Sequence, residues 1–422
     1  MGKSISDLIK ANPFYNQPLD ASSGELAVNR KAEFSRLERV LNDASQGIRQ
    51  NYAALGEDGS GKTSLLNLLQ AKAELFPRLL LIRLEITSSS TELHFFKSLV
   101  GTIVGELEKV TGGLAPFIGG DLKTIRKRLE GTVMEESSRV EVSVSIAALF
   151  NFLGFGGKVE AGEKTAKGRY EDVPEILPSL EKVVNAVLGK KFSSVVVMID
   201  EAGYIASETT RSLLQRMRLL FQKSPFMLIV AGSPVLLDDL IQVEPTFGNL
   251  MPPNLRIHLP KLSQKDVRDL IASRLSKVRT NGRGLEPFTA ESADEVFRQS
   301  KGIPRDAVLI SHEALEIALN KGKTEVEIDD VIEASKLVLA GKGRDTFARL
   351  KDHERELVLE LWRSGDDYLT RLATKLEKRP PTLVEQMKRM IQLGYAEVSR
   401  KEGNMTYYRP ARALLEYLST TP

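Results

Sequence analysis

The chain has 422 residues, 42% hydrophobic and 27% charged, which is too long for one ordinary core and too apolar for global disorder. Its 59 basic and 56 acidic side chains leave a net charge of +3, so attraction to nucleic acid or lipid over the whole surface is excluded and any basic surface is local. With no cysteine and four histidines far apart in sequence (His94, His258, His312, His353), disulfide frameworks, thiolate nucleophiles and zinc fingers are excluded as well. A reducing, cytoplasmic setting is expected.

In chain order, the first twenty residues carry Pro13, Pro18, Asp7 and Asp20 where a secretory signal would be apolar, and read as an extended N-terminal segment, 1–25. Residues 30–41 place Ala32, Phe34, Leu37, Val40 and Leu41 at helical spacing. Tyr52-Ala53-Ala54-Leu55 is a short apolar run. It leads into Gly56-Glu57-Asp58-Gly59-Ser60-Gly61-Lys62-Thr63, and Ser64 onward reads as a helix. Further buried strands are predicted at 79–86, 194–199, 226–231 and 255–259, with helices between them. Alternating strands and helices predict a parallel sheet covered on both faces.

Lys62 and Asp200 are separated by more chain than two crossover units need, so an insert is expected at about 112–170. It includes the period-two run 140–146 and an apolar stretch with Leu149, Phe150, Phe152, Leu153 and Phe155. Three readings of it stay open: a scaffold hairpin, a DNA or oligomer contact, or a membrane-surface element. The longest weakly polar stretch, 142–157, is too short to span a bilayer, and no membrane partner is expected.

After the fifth strand come helical patterns at 263–277, 290–299, 305–318 and 328–339, read as a small helical domain over 261–343. The final stretch, 344–422, predicts helices at 354–362, 369–378 and 382–393. Two short strands follow around the Glu402-Gly403-Asn404 turn. Three helices and a hairpin predict a winged helix-turn-helix. This stretch holds 15 basic and 12 acidic residues. Lys388 and Arg389 lie on the expected recognition helix, Lys378 and Arg379 before it, and Arg400, Lys401 and Arg409 beside the wing. Those seven are the candidate phosphate contacts for double-stranded DNA.

The segment Gly56 to Thr63 matches GxxxxGKS/T in a strand–loop–helix context. Glycines let main-chain amides curl around phosphate oxygens, the helix start adds a favourable dipole, Lys62 reaches the terminal phosphates and Thr63 offers a hydroxyl to magnesium. Ser64 follows as the last residue of the cradle. The apolar run 195–199 delivers Asp200 and Glu201 to a strand end, where Asp200 would hold magnesium through its waters and Glu201 would deprotonate the attacking water.

On these motifs the chain resembles the AAA+ P-loop ATPases of the initiator branch, which includes origin-recognition and helicase-loader proteins. The resemblance implies a three-layer α/β nucleotide domain over 26–260, a helical lid and a C-terminal winged helix, with ATP and Mg2+ as cofactors and a homo-oligomer as the assembly. Val28-Asn29-Arg30 resembles the family's segment near the adenine. Ser233, after the strand 227–231, resembles the first sensor, although many relatives carry asparagine there. Arg305, in Gly302-Ile303-Pro304-Arg305, resembles the second sensor. The arginine supplied in trans falls on Arg256, or on Arg216 or Arg218. The function expected is an ATPase whose nucleotide state controls assembly on DNA. One alternative is a signalling, defence or transposition regulator that recruits a protein partner through the winged helix; another is a DNA translocase.

Overall fold

The computed structural model describes residues 4–73, 75–85, 100–105, 125, 182, 184–185, 192–202, 215, 218, 221–222, 226–281, 283–403 and 405–420. The expected insert at 112–170 and Arg216 lie outside the described residues, apart from position 125. Two compact units are present, residues 18–260 and residues 1–17 with 261–422. The N-terminal stretch read as one extension is therefore divided between them.

In the first unit, helix α2 (Lys31–Ser45; α1 is Ile5–Leu8) precedes β1 (Tyr52–Leu55), α3 (Lys62–Ala73), β2 (Leu79–Glu85), β3 (Ser194–Asp200), β4 (Phe226–Gly232), α4 (Leu236–Val243) and the short β5 (Arg256–His258). The five strands form one parallel sheet in the order β2-β3-β4-β1-β5. Every residue of β3 and β4 is buried, as the unbroken apolar runs require. Side chains alternate between two cores. Val195, Val197 and Ile199 of β3 join Phe226, Leu228 and Val230 of β4 on one face. Val196 and Met198 join Met227, Ile229 and Ala231 on the other, together with Leu37, Leu41, Leu65, Leu66 and Leu69 of α2 and α3. A period of two in the strands and two separate apolar clusters are the signature of three layers.

In the second unit, residues 261–349 contribute α5 (Gln264–Val278), α6 (Ala290–Ser300), α7 (Pro304–Asn320) and α8 (Ile328–Arg349). Ser263 opens α5 through a capping box with Asp266, and Thr289 opens α6 in the same way with Ser292. The helix expected to end at 339 continues for ten more residues, through Gly341 and Gly343. Glycines normally weaken a helix interior. Here a Cβ at Gly343 would lie 2.0 Å from the Ala413 carbonyl oxygen, so glycine is what lets the C-terminal helix approach.

The last block runs α9 (Asp352–Ser364), β6 (Asp367–Tyr368), α10 (Leu369–Lys375), α11 (Pro380–Gln392), β7 (Ala396–Glu402), β8 (Met405–Pro410) and α12 (Arg412–Thr420). β6, β8 and β7 make an antiparallel sheet in that order. Leu357, Leu361, Leu372, Leu383, Met387, Met390 and Leu414 supply its core. The sequence reading contains neither the two-residue β6 nor α12.

Residues 5–14 are held within this second unit. The Lys10 amide donates to Val278 O at 2.9 Å, and Phe14 packs edge-on against Phe288 at 5.7 Å. No helix among the described residues is long and apolar enough to cross a membrane.

Candidate nucleotide site

The glycine loop follows β1 and Asp200 ends β3. Both strands neighbour β4, and all three run parallel. The registers pair Leu55 with Gly232 and Ile199 with Val230, so the loop and the carboxylate leave the same sheet edge. Two strand spacings separate them, about 10 Å. That edge, beyond the C-terminal ends of parallel strands, is where open α/β sheets bind ligands.

Several features adapt the loop to wrap an anion. Gly59 and Gly61 take φ of +77° and +95°, in the region that favours glycine. The Gly56 amide donates to Gly232 O at 3.1 Å, fastening the loop's first residue to β4. A Cβ on Gly56 would lie 2.3 Å from Ser60 Oγ and 3.3 Å from Leu259 Cβ, so the turn is tight at this glycine. Lys62 is buried, and its Nζ donates to the carbonyl oxygens of Gly56 (3.1 Å) and Glu57 (3.0 Å). Ser60 Oγ is buried without a hydrogen-bond partner, an orphaned donor inside the loop. Thr63 and Ser64 stand half-buried in the first turn of α3. Left-handed glycines, a buried ammonium and an orphaned hydroxyl are the chemistry a polyphosphate satisfies, so the residues fit the expected group.

Asp200 is buried. Its Oδ2 accepts from Arg83 Nη2 at 3.1 Å, and its Oδ1 accepts from the Glu201 amide at 3.1 Å. Glu201 is exposed and takes φ of +52°, a conformation uncommon for a residue with a side chain. The sequence motifs do not single out Arg83. It stands inside the apolar strand Leu79–Glu85, and its Nη1 also donates to Asn67 Oδ1 on α3. The signal was present, because a guanidinium within a buried parallel strand requires a buried acceptor. Asn67 Nδ2 in turn donates to Leu19 O at 2.9 Å, and the Leu19 amide donates to Ser64 Oγ at 3.0 Å. The stretch around Leu19 is thereby clamped to the helix that follows the loop.

Arg30 is buried, and its Nη2 donates to Ser60 O (3.2 Å) and Pro260 O (2.7 Å). It braces the back of the glycine loop. Asn29, exposed at φ +50°, and half-buried Val28 precede it. Ser233 is half-buried directly after Gly232, beside the start of the loop, and its carbonyl accepts from the Leu236 amide.

Arg256 is the first residue of β5, and its Nε donates to Met251 O at 3.1 Å. Arg218 is half-buried. The Glu244 carboxyl lies below its ordinary value because Thr246 donates to it, with a smaller contribution from the Arg218 charge. Arg305 belongs to the other unit, exposed in the first turn of α7. Lys301 and Gly302, both left-handed, end α6 just before it.

The seven basic residues expected to meet DNA lie on the last block. Arg379, Lys388, Arg389, Arg400, Lys401 and Arg409 are exposed, and Lys378 is half-buried. Many carry acidic partners. Lys378 donates to Glu356 (2.6 Å), Lys388 to Glu385 (2.8 Å) and Arg409 to Glu397 (2.8 Å); Arg400 donates to Glu402 (2.8 Å) and Asp366 (2.9 Å). The Glu402 carboxylate raises the Arg400 guanidinium above its ordinary value, and Arg400 also lies over the Tyr407 ring at 4.1 Å. Exposed pairs of this kind contribute little, so a phosphate can replace the carboxylate at small cost.

Comparison with known proteins agrees with the geometry. Residues 53–244 match the KAP family P-loop domain. An uncharacterized HTH-type transcriptional regulator of Methanocaldococcus jannaschii is 27% identical over 413 residues, covering 97% of this chain and 92% of that protein. The ORC1 protein of Aeropyrum pernix, solved in complex with DNA, superposes with a TM-score of 0.57 at 15% identity over 99% of this chain and 98% of its own. The ORC2 protein of Aeropyrum pernix, solved as ADPNP-ADP complexes, gives 0.54 at 14% identity, with 98% of each chain covered. With the loop and the buried carboxylate brought to one edge of a five-stranded parallel sheet, the first unit has the fold of a P-loop domain, and the chain shares its fold with the two ORC proteins.

Proposed function

We propose that this chain is a magnesium-dependent ATPase whose nucleotide state controls its attachment to duplex DNA. The observation that carries the reading is the pairing, at one sheet edge, of a glycine loop holding a buried Lys62 with a buried Asp200 two strands away. Main-chain amides of the loop after Gly56, whose own amide is fastened to Gly232 O, and the Lys62 ammonium hold the phosphates. The Thr63 hydroxyl, and Asp200 through waters, would hold the metal, which would supply charge neutralisation at the phosphate oxygens. Glu201, exposed on its left-handed backbone, takes the proton of the attacking water. Ser233, next to the loop, is the polar group toward the terminal phosphate. Arg305 and Arg256 are the sensing and trans-acting arginines of this reading, and action in trans makes a homo-oligomer the working form.

Support for DNA comes from the last block, with its exposed cations, and from two relatives: one is named an HTH-type regulator and the other was solved with DNA. Read as a winged helix, the block would place α11 in the major groove, with Thr382, Glu385, Lys388, Arg389 and Gln392 on its exposed face. A second reading, a docking surface for a recruited protein, is favoured by one observation: the acidic partners of Lys378, Lys388, Arg400 and Arg409 leave a surface of balanced charge.

Anisotropy of a labelled duplex, titrated across salt concentrations with and without Mg-ATP, separates them. If five to seven cations meet phosphates, log K falls against log salt with a slope of about −4.5 to −6.3. Lys388→Glu with Arg389→Glu should weaken binding by about tenfold or more. Absent or salt-independent duplex binding favours the protein-docking reading.

A further inference from the structure

The carboxylate assigned to the metal is already engaged by a cation of the chain itself. Arg83 Nη2 lies 3.1 Å from Asp200 Oδ2, and neither side chain is open to solvent, at 14% and 3% exposure. The other oxygen, Oδ1, accepts the Glu201 amide. The strand registers explain how the pair forms. Arg83 faces Met198 across β2 and β3, and Asp200 faces Glu85, so Arg83 and Asp200 are diagonal neighbours on one sheet face. That face is the one covered by α3, since Leu79, Met198 and the α3 leucines share a core. Arg83 reaches across to α3 as well, donating through Nη1 to Asn67 Oδ1, one helical turn after Thr63. A single guanidinium thus ties the strand bearing Asp200 to the helix bearing Lys62 and Thr63.

We propose that Arg83 is a positioning residue that competes with the metal for Asp200, setting the Mg2+ concentration at which nucleotide is bound tightly. In the nucleotide-free protein the guanidinium neutralises the buried carboxylate and holds it toward α3. To hold a divalent cation, Asp200 would have to release Oδ2 from Arg83, whose positive charge would stay at close range. The inference rests on the nucleotide reading above, since the competition is for the same carboxylate.

The test follows the anisotropy of a fluorescent ATP analogue at fixed concentration while Mg2+ is titrated, with wild type, Arg83→Gln, Arg83→Lys and Asn67→Ala, and with an EDTA arm for metal-free binding. A neighbouring charge within ~4–6 Å changes a carboxylate's preference for its charged form by about tenfold or more, and the same electrostatics act on a competing cation. Arg83→Gln should therefore lower the Mg2+ half-saturation by about tenfold, with metal-free affinity within about twofold of wild type. Arg83→Lys, which keeps the charge, should stay near wild type. A folded Arg83→Gln with an unchanged or raised half-saturation overturns the proposal. Should that variant lose its circular dichroism signature, Asn67→Ala decides: releasing Nη1 should lower the half-saturation by about threefold, and no change overturns the proposal. Wild type that binds the analogue in neither arm instead overturns the nucleotide reading beneath it.

Discussion

Replacing Lys62 with alanine tests the nucleotide reading at its most buried point. The ammonium donates to the Gly56 and Glu57 carbonyl oxygens at 3.1 and 3.0 Å and is almost fully enclosed. Bonds to a charged group contribute about 1.5–3 kcal/mol each. Burying the ammonium offsets much of that, so the ligand-free variant should lie within about 1.5 kcal/mol of wild type. The ligand term is larger. ATP at a hundred times its Kd stabilises a fold by about 2.7 kcal/mol. For a unit the size of residues 18–260, each kcal/mol moves the midpoint by about 2–4 °C. Differential scanning fluorimetry should thus show Mg-ATP raising the wild-type transition by roughly 5–11 °C. Lys62→Ala should melt close to ligand-free wild type and show no such rise. A variant that keeps more than half of the shift refutes the assignment of Lys62 to the phosphates.

Two further outcomes are expected. Glu201→Gln keeps the shape of the side chain but removes its basicity, so the analogue should still bind while single-turnover hydrolysis falls by about 10²- to 10⁴-fold; unchanged turnover removes Glu201 from the chemistry. Gly343→Ala places a Cβ 2.0 Å from a backbone oxygen of α12 and 2.7 Å from Tyr417 Cβ. Despite alanine's better helix propensity, overpacking of about 1–3 kcal/mol or more should lower the urea midpoint of the second unit, and an unchanged midpoint would show that α12 can yield.

Much of the site is legible in the sequence, because its parts are contiguous. The glycine loop needs eight consecutive residues, Gly56 to Thr63, and their chemistry is local: φ beyond zero at Gly59 and Gly61, an ammonium at Lys62, a hydroxyl at Thr63. The strand 195–199 announces its acidic end in the same way. The resemblance places Arg30 near the adenine; that it also donates to the carbonyls of Ser60 and Pro260 follows only from the fold, which brings position 260 beside position 30. The ion pair of Arg83 with Asp200 joins residues 117 positions apart through a strand register that no local pattern specifies.

By itself, the sequence determined the loop, the acidic couple, the alternation of strand and helix, and the placing of the sheet before the helical units, since each depends on the spacing or chemistry of near neighbours. Tertiary structure decided which carboxylate oxygen meets a guanidinium, where Leu19 is clamped, and that α8 runs unbroken through Gly341 and Gly343. Glycine there reads locally as a break. It becomes an interior helical residue because another helix, seventy residues later, comes close enough that its carbonyl leaves no room for a side chain.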